Sequence, residues 1–108
     1  MSAVNALVPV TVHFLRSKAR KRELATYKEI AEAVGTHPPM VPKILWVIAE
    51  MCENNDWPQL VALAVKTGSH KPGDDFLEYL YPGMPKKKRE ENWQKTLEEV
   101  FDFDWARS

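Results

Sequence analysis

The stretch TYKEIAEAVG, residues 26–35, constrains the fold of this chain more than any other. Thr26 followed three residues later by Glu29 is a capping box. The hydroxyl accepts the Glu29 N–H and the carboxylate reaches back to the Thr26 N–H. Tyr27, Ile30, Ala31 and Val34 recur at helical spacing and share one face. Gly35 falls just past the last periodic residue, where a positive φ ends a helix. Start, stop and buried face of a short helix are therefore all specified. Thr36–Pro39 reads as a turn. A further helix is predicted from about Met40 to Asn54, with Pro39 or Pro42 in its first turn, where a missing N–H costs little. Val41, Ile44, Leu45, Ile48 and Cys52 form its inward stripe. Two helices around a tight turn are the grammar of a helix-turn-helix.

The flanking segments extend this frame. Leu7 to Lys21 predicts a helix with Pro9 in its first turn, although the alternation Val8, Val10, Val12, Phe14 also admits a strand. Residues 1–6 read as a frayed end, and Leu24–Thr26 as a short extended piece. QLVALAVK, Gln59–Lys66, is apolar and bounded by turn residues, which predicts a buried strand. TGSHKPGDD is a loop, marked by Gly and Pro. Phe76–Tyr81 returns as a strand or a helical turn, and PGMPKKK is a break. Glu90–Phe101 predicts a helix with Trp93, Leu97, Val100 and Phe101 on one face, and FDFDW closes the chain as an aromatic tail packing back on the body. The expected architecture is mainly α with a small β wing: a winged helix-turn-helix with an extra C-terminal helix. It forms one domain over 1–108, with its core in 7–81 and the C-terminal helix and tail in 86–108.

Charge narrows the functional classes. Fifteen Lys and Arg balance fifteen Asp and Glu, where nucleic-acid-binding proteins usually carry a cationic excess. The distribution is uneven, however. Arg16, Lys18, Arg20, Lys21, Arg22 and Lys28 cluster early, Lys86, Lys87, Lys88 and Arg89 cluster later, and the tail from Glu90 to Asp104 is acidic. A neutral total can hide a basic face. The single cysteine, Cys52, excludes an intrachain disulfide and fits a reducing, cytoplasmic compartment. No apolar run reaches the ~18 residues of a membrane span, so no membrane partner is expected.

The order and wording of the central region resemble one family. TYKEIAEAVG is similar to the TYGEIAxxLG opening of the DNA-binding domain of O6-alkylguanine-DNA alkyltransferases and alkyltransferase-like proteins. The likeness continues through PPMVPKIL, WPQLVALAV and TGSHKPGDDF, which look like that family's recognition helix, active-site strand and wing. It covers residues 26–76. The resemblance implies a winged helix-turn-helix and contact with duplex DNA, with Tyr27 near a phosphate; Tyr27 fits equally as a core residue of its helix. The family's reactive Pro-Cys-His-Arg is replaced here by Ala62, Leu63, Ala64 and Val65, and its finger arginine by Pro39. Without a thiolate and a base there is no nucleophile, and Cys52 on an apolar helix face reads as core. Alkyl transfer is set aside and no enzyme activity is expected.

Other chemistry-bearing residues point nowhere sharper. His13, His37 and His70 lack metal-ligand spacing, so no metal or cofactor is expected. Asp74 and Asp75 in KPGDD superficially resemble a nuclease pair but read as turn formers. PKKKRE has the look of a nuclear localisation signal and reads instead as a solvated basic turn or phosphate contact before a helix. The expected nucleic-acid contacts are Arg20, Lys21, Arg22, Tyr27, Lys28, Lys43, His70 and Lys71, gripping the backbone of duplex DNA as a regulator or an accessory protein of a phage or mobile element would. The helix after Met40 is poor in base-reading side chains and nearly apolar all round. The alternative is therefore a protein-interaction module, an inhibitor, adaptor or self-associating unit, that uses Trp46, Val47, Trp93, Phe103 and Trp105.

Overall fold

The computed structural model describes residues 3–107. It is mainly helical, with one two-stranded parallel sheet among the described residues. The elements run α1 (Ala3–Arg20), β1 (Ala25–Thr26), α2 (Tyr27–Val34), α3 (Val41–Asn54), β2 (Ala64–Val65), α4 (Asp74–Leu80) and α5 (Lys86–Asp102). Short 3₁₀ turns cover Pro38–Met40, Leu60–Leu63 and Trp105–Arg107.

The helices α2 and α3 form where their signals lie. Glu29 N–H donates to the Thr26 hydroxyl over 3.1 Å, and Thr26 N–H donates to Glu29 Oε1 over 2.9 Å. Gly35 closes α2 at φ 79°, a left-handed conformation that costs a residue with a Cβ. The α3 stripe Val41, Ile44, Leu45, Ile48 and Cys52 is completely buried. α1 packs across α2 and α3 through Leu15 and Ala19, and its buried Thr11 hydroxyl donates to Leu7 O over 2.7 Å, which spares the core an unpaired donor.

Four expectations need correction. α1 begins at Ala3, so most of residues 1–6 are helical (Met1 and Ser2 lie outside the described residues), and Pro9 sits inside the helix rather than in its first turn. Pro9 is exposed, where water reaches the helix and a missing N–H costs least. The strand expected over Gln59–Lys66 shrinks to Ala64–Val65, paired with Ala25 and Thr26. A strand extends only as far as it has an edge to pair with, and β1 offers two residues. The preceding Leu60–Leu63 coils into a 3₁₀ turn that meets its polar groups locally, with Ala62 N–H donating to Gln59 O. The segment after the loop is α4, so Asp74 and Asp75 are first-turn residues that complement the helix dipole. Finally, α5 starts at Lys86, which puts the second basic cluster inside a helix rather than in a turn before it.

One indole ties α5 to the body and a second holds the tail against α5. Trp93 Nε1 donates to Ala62 O over 2.8 Å and Trp105 Nε1 to Val100 O over 2.7 Å, both from buried rings. The aromatic tail thus packs back as expected.

Thr26→Ala should cost about 1 kcal/mol in a urea titration, and Ile44→Ala, at a completely buried position, about 2–5 kcal/mol. The Thr26 backbone amide holds the Glu29 carboxyl below its ordinary pKa. This stabilisation is full above the ordinary carboxylate range and is lost as pH falls through the lowered value. The stability gap between wild type and Glu29→Ala should therefore narrow in acid; a gap independent of pH would show that the box does not hold α2.

Candidate nucleic-acid interface

The first basic cluster is divided by its surroundings. Arg22, at φ 57° in the turn after α1, reaches α5 and donates to Glu98 and Asp102, each over 3.0 Å. Hydrogen bonding to Asp102 leads the causes that raise its pKa. Its guanidinium also lies 5.1 Å from the Phe101 ring centre. Arg22 thereby faces two carboxylates of α5, which offset its charge on this surface. Lys18 pairs with Glu23 over 3.4 Å and lies 4.0 Å from Glu29. Arg20 and Lys21 remain exposed. The sequence cluster is thus not a uniformly cationic patch.

A different convergence forms around the loop between β2 and α4. The loop folds back on itself, with Lys66 N–H donating to Lys71 O over 2.8 Å and His70 N–H to Lys66 O over 3.1 Å. Gly68 and His70 take left-handed conformations that make this reversal. Lys66, Lys71 and Lys86 line a groove of about 350 Å³ between the loop and the start of α5. Lys71 Nζ lies 2.6 Å from Glu90 Oε1, and that hydrogen bond is the main reason the Glu90 carboxyl falls below its ordinary pKa. Both partners are exposed enough for the pair to open to an incoming anion.

Lys66 also belongs to a second cleft, of about 220 Å³, beside α2 and α3, where it meets Tyr27, Pro42, Trp46, Phe76 and the two acids Asp74 and Asp75. Tyr27 is half-buried here: burial raises its phenol pKa, and the Gly73 backbone partly offsets this. It both packs on the core and faces the cleft, so the two readings of Tyr27 coexist. Lys28 and Lys43 are exposed on α2 and α3, and His70 is close enough to Glu29 to lower its pKa slightly. The loop thus joins the helix-turn-helix to the second basic cluster. Lys66 escapes a reading of the sequence because its role comes from tertiary proximity, whereas Lys86 is visible as part of the later basic cluster but not as a neighbour of the 66–73 loop.

The residues of the alternative site divide as well. Trp93 and Trp105 are buried and hydrogen-bonded, so neither is displayed to a partner, contrary to expectation. Phe103 and Val47 are half-buried. Trp46 is 38% exposed and stacks on Phe76 at 4.4 Å, with Tyr79 edge-on at 5.0 Å. Among the described residues no cluster of His, Cys, Asp or Glu could hold a metal ion, and no helix is long and apolar enough to cross a membrane. The stretch Ala62–Val65 is buried. No family model matches the chain, and no curated protein or solved structure matches it.

Beside Trp46 on α4, the Tyr79 hydroxyl donates to Glu53 Oε2 over 2.6 Å, and this bond is the main cause that pushes its pKa up to about 12. A phenol raised in the folded state contributes stability that is full below the ordinary tyrosine range and is lost as pH rises through the raised value. Absorbance titration of phenolate should show a component titrating at about 12 that Glu53→Ala moves back toward the ordinary tyrosine range; no change in Glu53→Ala would refute the bond.

Proposed function

We propose that this chain is a non-catalytic nucleic-acid-binding protein that grips duplex DNA mainly by its backbone. We read the fold as a winged helix-turn-helix in which the 66–73 loop takes the place of the wing. The observation that carries the reading is the position of Lys66: it lines both the cleft beside Tyr27 and Pro42 and the groove shared with Lys71 and Lys86. A line of lysines therefore leads from beside α2 and α3 to the start of α5, with Asp74, Asp75 and Glu90 along one side, and Lys28, Lys43 and His70 are exposed as well. The resemblance of residues 26–76 to an alkyltransferase-type DNA-binding domain supports the same reading, and the absence of a Cys-His pair at Ala62–Val65 supports a non-catalytic role.

The start of α5 adds a physical argument. Lys86, Lys87 and Lys88 occupy its first turn, with no acidic residue there and no side-chain cap from Pro85. Cations at a helix N-terminus oppose the macrodipole. A phosphate placed there relieves that repulsion and meets the N–H groups of the first turn. Contacts of this kind position a protein without reading sequence, consistent with an α3 whose outward face offers Lys43, Trp46 and Glu50. Arg20 and Lys21 extend the surface at its edge.

A second reading, a protein-interaction module, is favoured by one observation, the exposed Trp46 on its Phe76–Tyr79 platform. Fluorescence anisotropy of a labelled duplex at two salt concentrations separates the two. Binding should weaken steeply with salt. A Lys66→Glu, Lys71→Glu, Lys86→Glu triple variant should bind more weakly, with a salt slope shallower by about one unit for each phosphate it no longer neutralises. No binding at low salt would sink the DNA reading and leave the Trp46 surface as the function-bearing one.

A further inference from the structure

A further cleft lies away from the line of lysines. It has a volume of about 700 Å³ and opens between the ends of α3, α4 and α5 and the segment 56–59. Glu53, Asp56 and Glu99 line it together with Trp57, Gln59 and Phe103, and among the described residues no Lys or Arg does. α3 ends at Asn54, α4 at Leu80 and α5 at Asp102, so three C-terminal helix ends border one space. Such ends carry partial negative charge and favour cations. The neighbouring acids Glu98 and Asp102 are satisfied by Arg22, whereas Glu53 accepts the neutral Tyr79 hydroxyl, which also lines the cleft, and among the described residues no basic side chain pairs with Glu53, Asp56 or Glu99 within ion-pair distance. Gln59 donates its amide to Ala49 O over 3.0 Å, and its buried Oε1 has no hydrogen-bond partner among them. An acceptor buried without a donor costs free energy that an incoming N–H recovers.

We propose that this cleft docks an arginine side chain presented on an extended segment of a partner protein. Arginine fits the charge and the shape together. Its planar fork donates five N–H groups, it pairs with two carboxylates at once, and it stacks on aromatic faces while being weakly hydrated. Lysine supplies the charge without the planar stack. The molecule already uses this pairing internally: the Arg16 guanidinium lies 4.9 Å from the Trp57 ring centre and 5.8 Å from that of Trp105. The docked arginine uses Glu53 and Glu99 as counter-charges, Trp57 or Phe103 as a stacking surface and Gln59 Oε1 as an acceptor. A surface for a cationic protein segment and a surface for a polyanion thus occupy separate parts of one neutral chain.

The test uses the whole protein and three capped glycine-rich peptides that differ at one central position: arginine, lysine or citrulline, the last keeping the arginine shape without its charge. Binding is followed by the shift of the Trp57 indole N–H signal in NMR. The arginine peptide should bind, the lysine peptide several-fold more weakly, and the citrulline peptide not measurably. Glu53→Gln with Glu99→Gln should weaken the arginine peptide about tenfold, whereas Glu32→Gln with Glu78→Gln, the same charge change on exposed positions away from the cleft, should leave it unchanged. Asp56 is left in place because its φ of 55° closes the turn after α3. Equal binding of the citrulline or lysine peptide, equal loss in the two double variants, or no binding of the arginine peptide to wild type would each overturn the proposal. The peptide comparison on wild type decides the matter even if a variant folds poorly.

Discussion

Everything in this fold is arranged around the burial of LVALAV, residues 60–65. All six side chains are within 1% of complete burial. A buried apolar run is favourable only if its peptide groups find partners, because each orphaned group offsets the gain from a buried methylene or more. The solution is composite. The last two residues pair with β1, the first four coil on themselves, and the Trp93 indole supplies a donor to Ala62 O. β1 exists because it supplies this edge, and the capping box that starts α2 follows directly from it at Thr26. Docking of α5 through Trp93 closes the other side.

This dependence explains what is legible in the sequence. α2 is readable to the residue because a capping box and a glycine stop are local devices, complete within ten positions. The buried stripe of α3 is equally plain from its period. The 60–65 run is recognisable as buried but not in its shape, since periodicity does not distinguish a strand from a tight coil when every position is apolar. That choice depends on how much edge β1 can offer, and β1 is two residues long. Phe76–Tyr81 is ambiguous for the same reason, its helix being fixed by packing of Phe76 and Leu77 rather than by spacing. The start of α5 is hidden because consecutive lysines after a proline look like a turn.

The candidate sites are legible in part. Lys71, His70, Lys43 and Tyr27 carry signals of their own, a loop tip, an early helix position or a match to a known motif. Lys66 has none, because its significance is that the loop reversal brings it beside Lys71 and Lys86, and the basic run that holds Lys86 gives no sign of that neighbour. Arg22 shows the opposite error. It lies in a cationic run, yet the chain returns acids from 76 and 80 residues further along to meet it. Trp93 and Trp105 belong to the same lesson: an aromatic count does not say which rings are structural, and the partner of an indole N–H does.

The charge order of α5 has a consequence for how the chain folds. Its lysines stand at the positive end of the backbone dipole and its acids, Glu98, Glu99 and Asp102, near the negative end. The helix is built against its own electrostatics, and on its own it has little reason to form. Its shape is imposed by Trp93, Leu97 and Val100 once the body is there to receive them. α5 therefore owes its helix to docking more than to its charge order, and the position of its basic end is set by the core that receives Trp93, Leu97 and Val100.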